Sequence, residues 1–558
     1  MMYCELTDKS TMLPGKERLL EVLNKHLRFV PGFSIGIING DDYYFYSAGE
    51  TISGSKQNVG IDTGFSISSL TKVVTALLTI KLFDEGRLDL FRSVYDYLPD
   101  FTFRNHAHGD EVTLFHLLTH TSGMAAIFPN FYISDDSSLE QHVYQEVSQV
   151  KMINNNNRIF NYSSANYNLL GYICERVTGL SFDQLIKQFT CKVQMEKTVF
   201  NLETAYSLNN FASGHMVNMK LFTPTPKIAF VPSYHPSTQL ISNVRDLANI
   251  AHILLNEGNL NGERLISQYL WKEMLTPKVS MYSERGDFFG MGLGFKGKHA
   301  DRVVHEGIGL GYFSRLYLRP EKRSGVILLA NSQLYGHTSK ITHLIIDEML
   351  EDNKRVFIPQ PPCVYTDNTD IRKISFSDSY YSMSGKPSKI EITKEQNQLT
   401  LLYTDLSSGV CTKSEIRQKQ LGLAVIISNE CKKIGFVGQK DDDHIIETVI
   451  IGNTLYTATA QWAATYCPDR FVGTFVGFLE TSEQLETIYI TLTSESELIL
   501  KSYEKSYKLF SLQNDNKSFS CGIGHIEFYK ADNVVNGFSL NYCLRFIKVN
   551  DDFIPCSE

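Results

Sequence analysis

A chain of 558 residues exceeds what one hydrophobic core ordinarily organises, so about two to four domains are expected, with room for a sizeable catalytic core. Its 43% hydrophobic and 20% charged residues are ordinary for a water-soluble protein. A formal charge of -8 and an isoelectric point near 6.0 leave no broad basic field, which argues against nucleic acid or anionic lipid as the main partner.

The first residues, MMYCELTDKSTMLPGKERLL, lack the apolar core of a secretory signal, and no later run is apolar over the ~18 residues of a membrane span. A cytoplasmic site, or export without a cleaved signal, is the expectation. The expected partner is a small-molecule or peptide substrate, with assembly into a homo-oligomer left open. The cysteines form no CxxC and no Cys/His zinc spacing, so they read as mostly reduced and structural.

VPGFSIGIING and YYFYSAG predict two strands joined by an Asn-Gly-Asp-Asp turn. Helical patterns follow over Ser69 to Glu85, Asn166 to Val177 and Val244 to Asn256, each closed by a nearby glycine. Strands return in RVVHEGIG, FSRLYLRP and GVILLANS. Strands at both ends and helices between them predict an α+β domain over residues 1–356, with one antiparallel sheet flanked by helices.

Residues 357–372, which include FIPQPPCVYTDNTD, read as a linker. Beyond it short alternating runs such as KIEIT, QLTLLY and ETIYITLT predict an all-β region. A weak internal likeness between the stretches that begin at DSYYSMSG and at DRFVGTFVG favours two small antiparallel barrels, over 373–465 and 466–558. One larger β domain is the alternative.

The pattern Ser-x-x-Lys occurs four times, as Ser53/Lys56, Ser69/Lys72, Ser148/Lys151 and Ser502/Lys505, so the bare motif decides nothing. A nucleophilic serine needs an adjacent base and fixed N–H donors for the oxyanion. Those donors are found at the first turn of a helix, where a residue three positions on shares the face. Only Ser69 opens a long helix, and Leu70, Val73, Val74, Leu77 and Leu78 surround Lys72 with apolar neighbours. Desolvation there disfavours the ammonium form and makes the amine a proton acceptor near neutral pH. The bland alternative is a lysine that snorkels to solvent.

Two further segments bear on the choice. Tyr162 lies in a polar loop just before a helix, and His305 and Gly307 stand on a predicted strand that breaks at successive glycines. Taken singly, each has a structural reading: a loop anchor, a core histidine, a bulge.

In order and spacing these segments closely resemble the serine β-lactamase and penicillin-binding-protein superfamily, in its class C β-lactamase, esterase and D-aminopeptidase branch. PGFSIGII, FSISSLTKVVTALL, VTLFHLLTHTSGM, YNLLGYICERVTG and TQLISNVRDLANIAHILL carry the resemblance, over about residues 25 to 335. It implies that Ser69 becomes acylated, that Lys72 and Tyr162 share the proton, and that His305 and Gly307 form the strand lining the site. Backbone N–H groups of Ser69 and Ile308 would make the oxyanion hole, and no metal or other cofactor is required. The resemblance also implies two small barrels after the catalytic domain, as in the D-aminopeptidases of this family, one of them able to reach the cleft.

There are departures from the family pattern. Its Tyr-x-Asn is Tyr162-Ser163-Ser164 here, so Ser164 stands for a substrate-contacting amide. Glu306 occupies the middle of the His-x-Gly triplet and, on a strand, should point away from the cleft. His305 in place of lysine removes a permanent cation, which shifts the expectation from β-lactams towards a peptide-like amide or ester.

Two rivals remain at this stage. His106, His108 and Asp110 spell the start of a metallo-hydrolase loop, and His116 and His120 share a helix face, a spacing that can bind zinc. Alternatively the domain is a catalytically silent binding or assembly module, for which Ser164 is the main support.

Overall fold

The computed structural model describes residues 19, 21, 23, 30–103, 112–124, 137–150, 152, 160–201, 211–218, 221–224, 232–281, 287–296, 300–309, 311–332 and 341–346, and after these the backbone of strands between 375 and 549 with residue 410. The chain forms two compact units, the first ending at Pro362 and the second built on Cys363–Glu558. The expected linker at 357–372 lies outside the described residues.

In the first unit the described strands are β1 (Gly32–Asn39), β2 (Asp42–Gly49), β3 (Phe65–Ser66), β4 (Ile241–Ser242), β5 (Val279–Ser280), β6 (Phe288–Phe289), β7 (Gly294–Lys296), β8 (Arg302–Gly309), β9 (Tyr312–Arg319) and β10 (Ser324–Ala330), beside two small hairpins. The main sheet has the order β2-β1-β10-β9-β8-β7-β6-β5. Its first and last strands in the chain, β1 and β10, lie side by side, with Phe33 opposite Ala330 and Ile37 opposite Val326. The expectation of one antiparallel sheet shared by both ends of the domain is met: β1 is paired along one edge by β2 and along the other by β10.

Period-two alternation sets the two faces of that sheet. Phe33, Ile35 and Ile37 of β1 join Leu328, Tyr317, Ile341 and Ile345 in one buried cluster. The opposite face carries Gly36 and Ile38, and α4 (Val244–Leu255) lies over it: a Cβ on Gly36 would meet the Val244 carbonyl oxygen at 3.5 Å.

Three other helices position the site: α1 (Thr71–Asp84), α2 (Leu114–Leu118) and α3 (Ser164–Thr178). α1 is buried almost all round, as a helix without a polar face must be. Its threonines are satisfied locally, Thr79 on the Thr75 carbonyl (2.8 Å) and Thr75 on the Pro236 carbonyl (2.7 Å). Gly86 ends it in a left-handed conformation (φ 70°), with Arg87 N–H returning to the Leu82 carbonyl at 2.9 Å. The α-helix begins at Thr71 rather than at Ser69 as expected, since Ser68–Leu70 form a 3-10 turn and Ser68 holds φ 46°.

In the second unit two nine-stranded sheets are described, one with strands between Ser375 and Thr457 and one between Gly473 and Val549. In the first, Ile445–Ile451 pairs with both Lys433–Gly438 and Thr454–Thr457, and the latter pairs with Tyr380–Ser382. The alternation read from KIEIT and QLTLLY is real: Ile390, Ile392, Leu399 and Leu401 are buried while Lys394 is exposed. Among the described residues, Cys174, Cys191 and Cys411 are free thiols, and no helix is long and apolar enough to cross a membrane.

Candidate active site

β3 pairs with β4 and delivers the chain into the turn that carries Ser69. That turn is pinned on three sides. Ile67 N–H donates to the Leu240 carbonyl (2.9 Å), Leu240 N–H donates to Thr71 Oγ1 (3.2 Å), and Ser314 Oγ donates to the Ile67 carbonyl (2.6 Å). So many anchors explain why a non-glycine residue, Ser68, can hold a positive φ directly before Ser69.

At the start of α1, Lys72 is fully buried with its Nζ 3.2 Å from Ser69 Oγ, 3.3 Å from Ser164 Oγ and 2.7 Å from the Ser237 carbonyl oxygen. Burial holds its pKa well below the ordinary lysine value. A neutral amine has two N–H bonds and one lone pair. The Ser237 carbonyl can only accept, so it takes one N–H; Ser164 Oγ takes the other, and the lone pair is left for the Ser69 proton.

Tyr162 lies in the loop before α3, hydrogen-bonded to Ser69 and 5.0 Å by ring centroid from Lys72 Nζ. Burial raises the phenol well above its ordinary pKa, with the Ser69 hydrogen bond partly offsetting the rise. The site therefore sets an amine that sheds its proton easily beside a phenol that keeps its own.

Opposite them runs β8. A Cβ on Gly307 would lie 2.1 Å from the Ile67 carbonyl oxygen, 2.4 Å from Ser314 Oγ and 3.0 Å from Leu70 N. Only a residue without a side chain lets the strand approach the Ser69 turn this closely, and it brings the backbone of Ile308 there as well. His305 is buried near the aromatic rings of Tyr162 (centroids 6.5 Å) and Phe289 (6.2 Å). Its Nδ1 donates to the Glu306 carbonyl (3.1 Å). Burial, and secondarily the charge of Lys72, pushes its pKa down to about 3. Glu306 points to the other face of the sheet, as alternation requires, and pairs across the ladder with the buried Arg315 (3.3 Å).

The structure brings the residues expected from the sequence together: Ser69 and Ser164 both contact Lys72, Tyr162 contacts Ser69, and His305, Gly307 and Ile308 lie on the facing strand. The other Ser-x-x-Lys pairs go elsewhere. Ser53 N–H donates to His215 Nε2, Ser148 Oγ caps the Tyr144 carbonyl, and Ser502 and Lys505 face each other across a hairpin. The histidines of the metal rival part company: His116 Nδ1 accepts from Thr113 N–H (3.1 Å) and His120 Nδ1 from Ser163 N–H (3.2 Å), while His106, His108 and Asp110 lie outside the described residues. Among the described residues no three His, Cys, Asp or Glu side chains converge as metal ligands. Sequence reading missed Ser237, Ser314 and the role of His120. The first acts through a carbonyl that any residue carries, and the second is one serine in the strand sequence YFSRLYLR.

An α+β domain whose central sheet faces a buried Ser-x-x-Lys turn and a tyrosine loop defines a protein of the serine β-lactamase and penicillin-binding-protein-like hydrolase class. The chain belongs to the Beta-lactamase family, whose model matches residues 22–347. It is 27% identical over 316 residues to Protein flp of Staphylococcus aureus strain MW2, a match covering 54% of this chain and 60% of that protein. Two solved structures share the fold. The octameric penicillin-binding protein homologue from Pyrococcus abyssi aligns at TM-score 0.51 and 22% identity, over 79% of this chain and 98% of its own. EstCE1, described as a hydrolase with promiscuous acyltransferase activity, aligns at TM-score 0.53 and 18% identity, over 60% and 98%.

Proposed function

We propose that the chain is a serine hydrolase that works through an acyl-enzyme on a peptide-like amide or ester, in the manner of a D-aminopeptidase, carboxypeptidase or esterase. The observation that carries this reading is the contact of Ser69 Oγ with both Lys72 Nζ (3.2 Å) and the Tyr162 hydroxyl in a buried setting. Ser69 Oγ attacks the carbonyl carbon and its proton passes to the Lys72 lone pair. Tyr162 O–H protonates the leaving amine or alkoxide and is replenished from Lys72. The backbone N–H groups of Ser69 and Ile308 hold the oxyanion. Water, deprotonated by the same pair, then attacks the acyl ester and frees Ser69.

Ser164 keeps a hydrogen bond to Lys72, so the departure from the family's amide leaves the proton-handling contacts complete and weakens the reading of a silent module. A histidine that stays neutral gives the site no fixed cation for the carboxylate of a β-lactam, which places β-lactamase activity second. The same proposal assigns residues 1–356 to the hydrolase domain, 357–372 to a linker, and 373–465 and 466–558 to two small barrels. A screen of p-nitrophenyl esters, D-amino acid anilides and nitrocefin tests the substrate class: turnover of esters or D-anilides above nitrocefin supports it, and preferential nitrocefin hydrolysis overturns it.

A further inference from the structure

His120 occupies an unusual place for a residue with no assigned part in the chemistry. It is fully buried and holds φ 57°, a left-handed conformation that costs a non-glycine residue free energy and persists only where surrounding contacts enforce it. Three of its contacts fall on Tyr162 and the residues that flank it. Asn161 N–H donates to the His120 carbonyl (2.8 Å), Ser163 N–H donates to His120 Nδ1 (3.2 Å), and the imidazole lies 4.3 Å by ring centroid from the Tyr162 phenol. The N–H of the residue on each side of Tyr162, and the Tyr162 ring, are thus held by His120.

The tautomer follows from the partners. Ser122 Oγ donates to Asn166 Oδ1 (2.6 Å), which turns Asn166 Nδ2 towards His120 Nδ1 at 3.0 Å. Nδ1 receives two donors and must be unprotonated. Burial, then the charges of Lys72 and His305, hold the imidazole pKa well below its ordinary value, which keeps the acceptor available. The rings of Tyr167 (5.1 Å) and Phe289 (5.2 Å) complete an aromatic enclosure.

We infer that His120 is a positioning residue for Tyr162, fixing the phenol against Ser69 through the paired N–H contacts of Asn161 and Ser163. The inference rests on the proposed acyl-enzyme chemistry and adds a residue to it. Asn166 and Ser122 act one step further out, by orienting the His120 acceptor.

Two substitutions separate the acceptor from the ring. His120→Asn places Oδ1 near the position of Nδ1 and suits a left-handed backbone. His120→Phe keeps a ring but removes the acceptor that the Ser163 N–H and Asn166 Nδ2 share. Each is made in the full chain and in a Tyr162→Phe background, and kcat and KM for a p-nitrophenyl ester are measured together with the rate of Ser69 labelling by a fluorophosphonate. His120→Asn is expected within about fivefold of the parent kcat, and His120→Phe about a hundredfold lower with KM little changed, the order that a ~1 Å misplacement costs. In the Tyr162→Phe background His120→Phe should change the labelling rate less than about twofold, because its effect runs through the missing hydroxyl. Full kcat in His120→Phe, an equal loss in both backgrounds, loss of activity in a folded His120→Asn, or failure of both variants to fold each overturns the inference. If His120→Phe alone fails to fold, an active His120→Asn supports it. Labelling that does not depend on Ser69 refutes the hydrolase reading instead, so the two failures are told apart.

Discussion

The Nζ of Lys72 donates to the Ser237 carbonyl oxygen over 2.7 Å, and this contact, rather than a carboxylate, is what holds the amine beside Ser69. Among the described residues no carboxylate pairs with Lys72, so burial drives the pKa down and the neutral form accumulates as pH rises through it. The expected kcat/KM profile for an ester therefore climbs on its acid side and levels well before pH 10.5, the ordinary lysine value. Lys72→Arg, which cannot lose its proton, should lower kcat about 10²- to 10⁴-fold. A profile still rising above that pH, or an active arginine variant, argues against Lys72 as the base.

Burial pushes the His305 pKa down from the ordinary 6.5 to about 3, which favours the neutral imidazole near neutral pH. His305→Gln is expected to leave the shape of the pH profile unchanged between about pH 5 and 8. A limb near 6.5 that vanishes in the variant would show that the imidazole titrates in function. His305→Lys should raise nitrocefin turnover relative to ester turnover, since it supplies the cation that the site lacks.

Gly307 is the point of closest approach between sheet and nucleophile turn. A methyl group at this position would stand 2.1 Å from a backbone carbonyl, which cannot swing aside as a side chain could. Gly307→Ala is expected to lower kcat/KM at least about a hundredfold by displacing the Ile308 backbone, and to cost about 1–3 kcal/mol of stability. Glu306→Ala, one residue away on the other face, should cost about 1.5–3 kcal/mol through Arg315 while leaving KM alone. Thermal melts read beside kinetics on both variants check this division; equal kinetic losses would contradict it.

Ser164 gives Lys72 the third of its polar contacts, at 3.3 Å. Removing the hydroxyl in Ser164→Ala forfeits one neutral hydrogen bond, about 0.5–1.5 kcal/mol, and so about two- to tenfold in kcat. A thousandfold loss would mean that this hydroxyl itself carries a proton.

Much of this site was legible because its chemistry sits in side chains at fixed spacings. Ser69 and Lys72 share a helical face, and Tyr162 precedes a helix whose start could be read from its pattern. The 3-10 turn at Ser68–Leu70 was not legible, because nothing local distinguishes it from a first α turn; it is imposed by Ser314 and Leu240, far along the chain. His120 was noticed for the wrong property. Its spacing from His116 suggested a metal pair, whereas a left-handed backbone turns its Nδ1 towards Ser163. In the second unit period-two alternation disclosed the strands, but which strands pair depends on contacts between distant segments.

Acylation of Ser69 is the claim on which the rest depends. Intact-mass measurement of the folded protein after treatment with a fluorophosphonate should give a single adduct, mapped to Ser69 and absent from a Ser69→Ala variant with an unchanged circular dichroism spectrum. An adduct that persists in Ser69→Ala, or a well-folded wild-type chain that takes up none, would contradict the account.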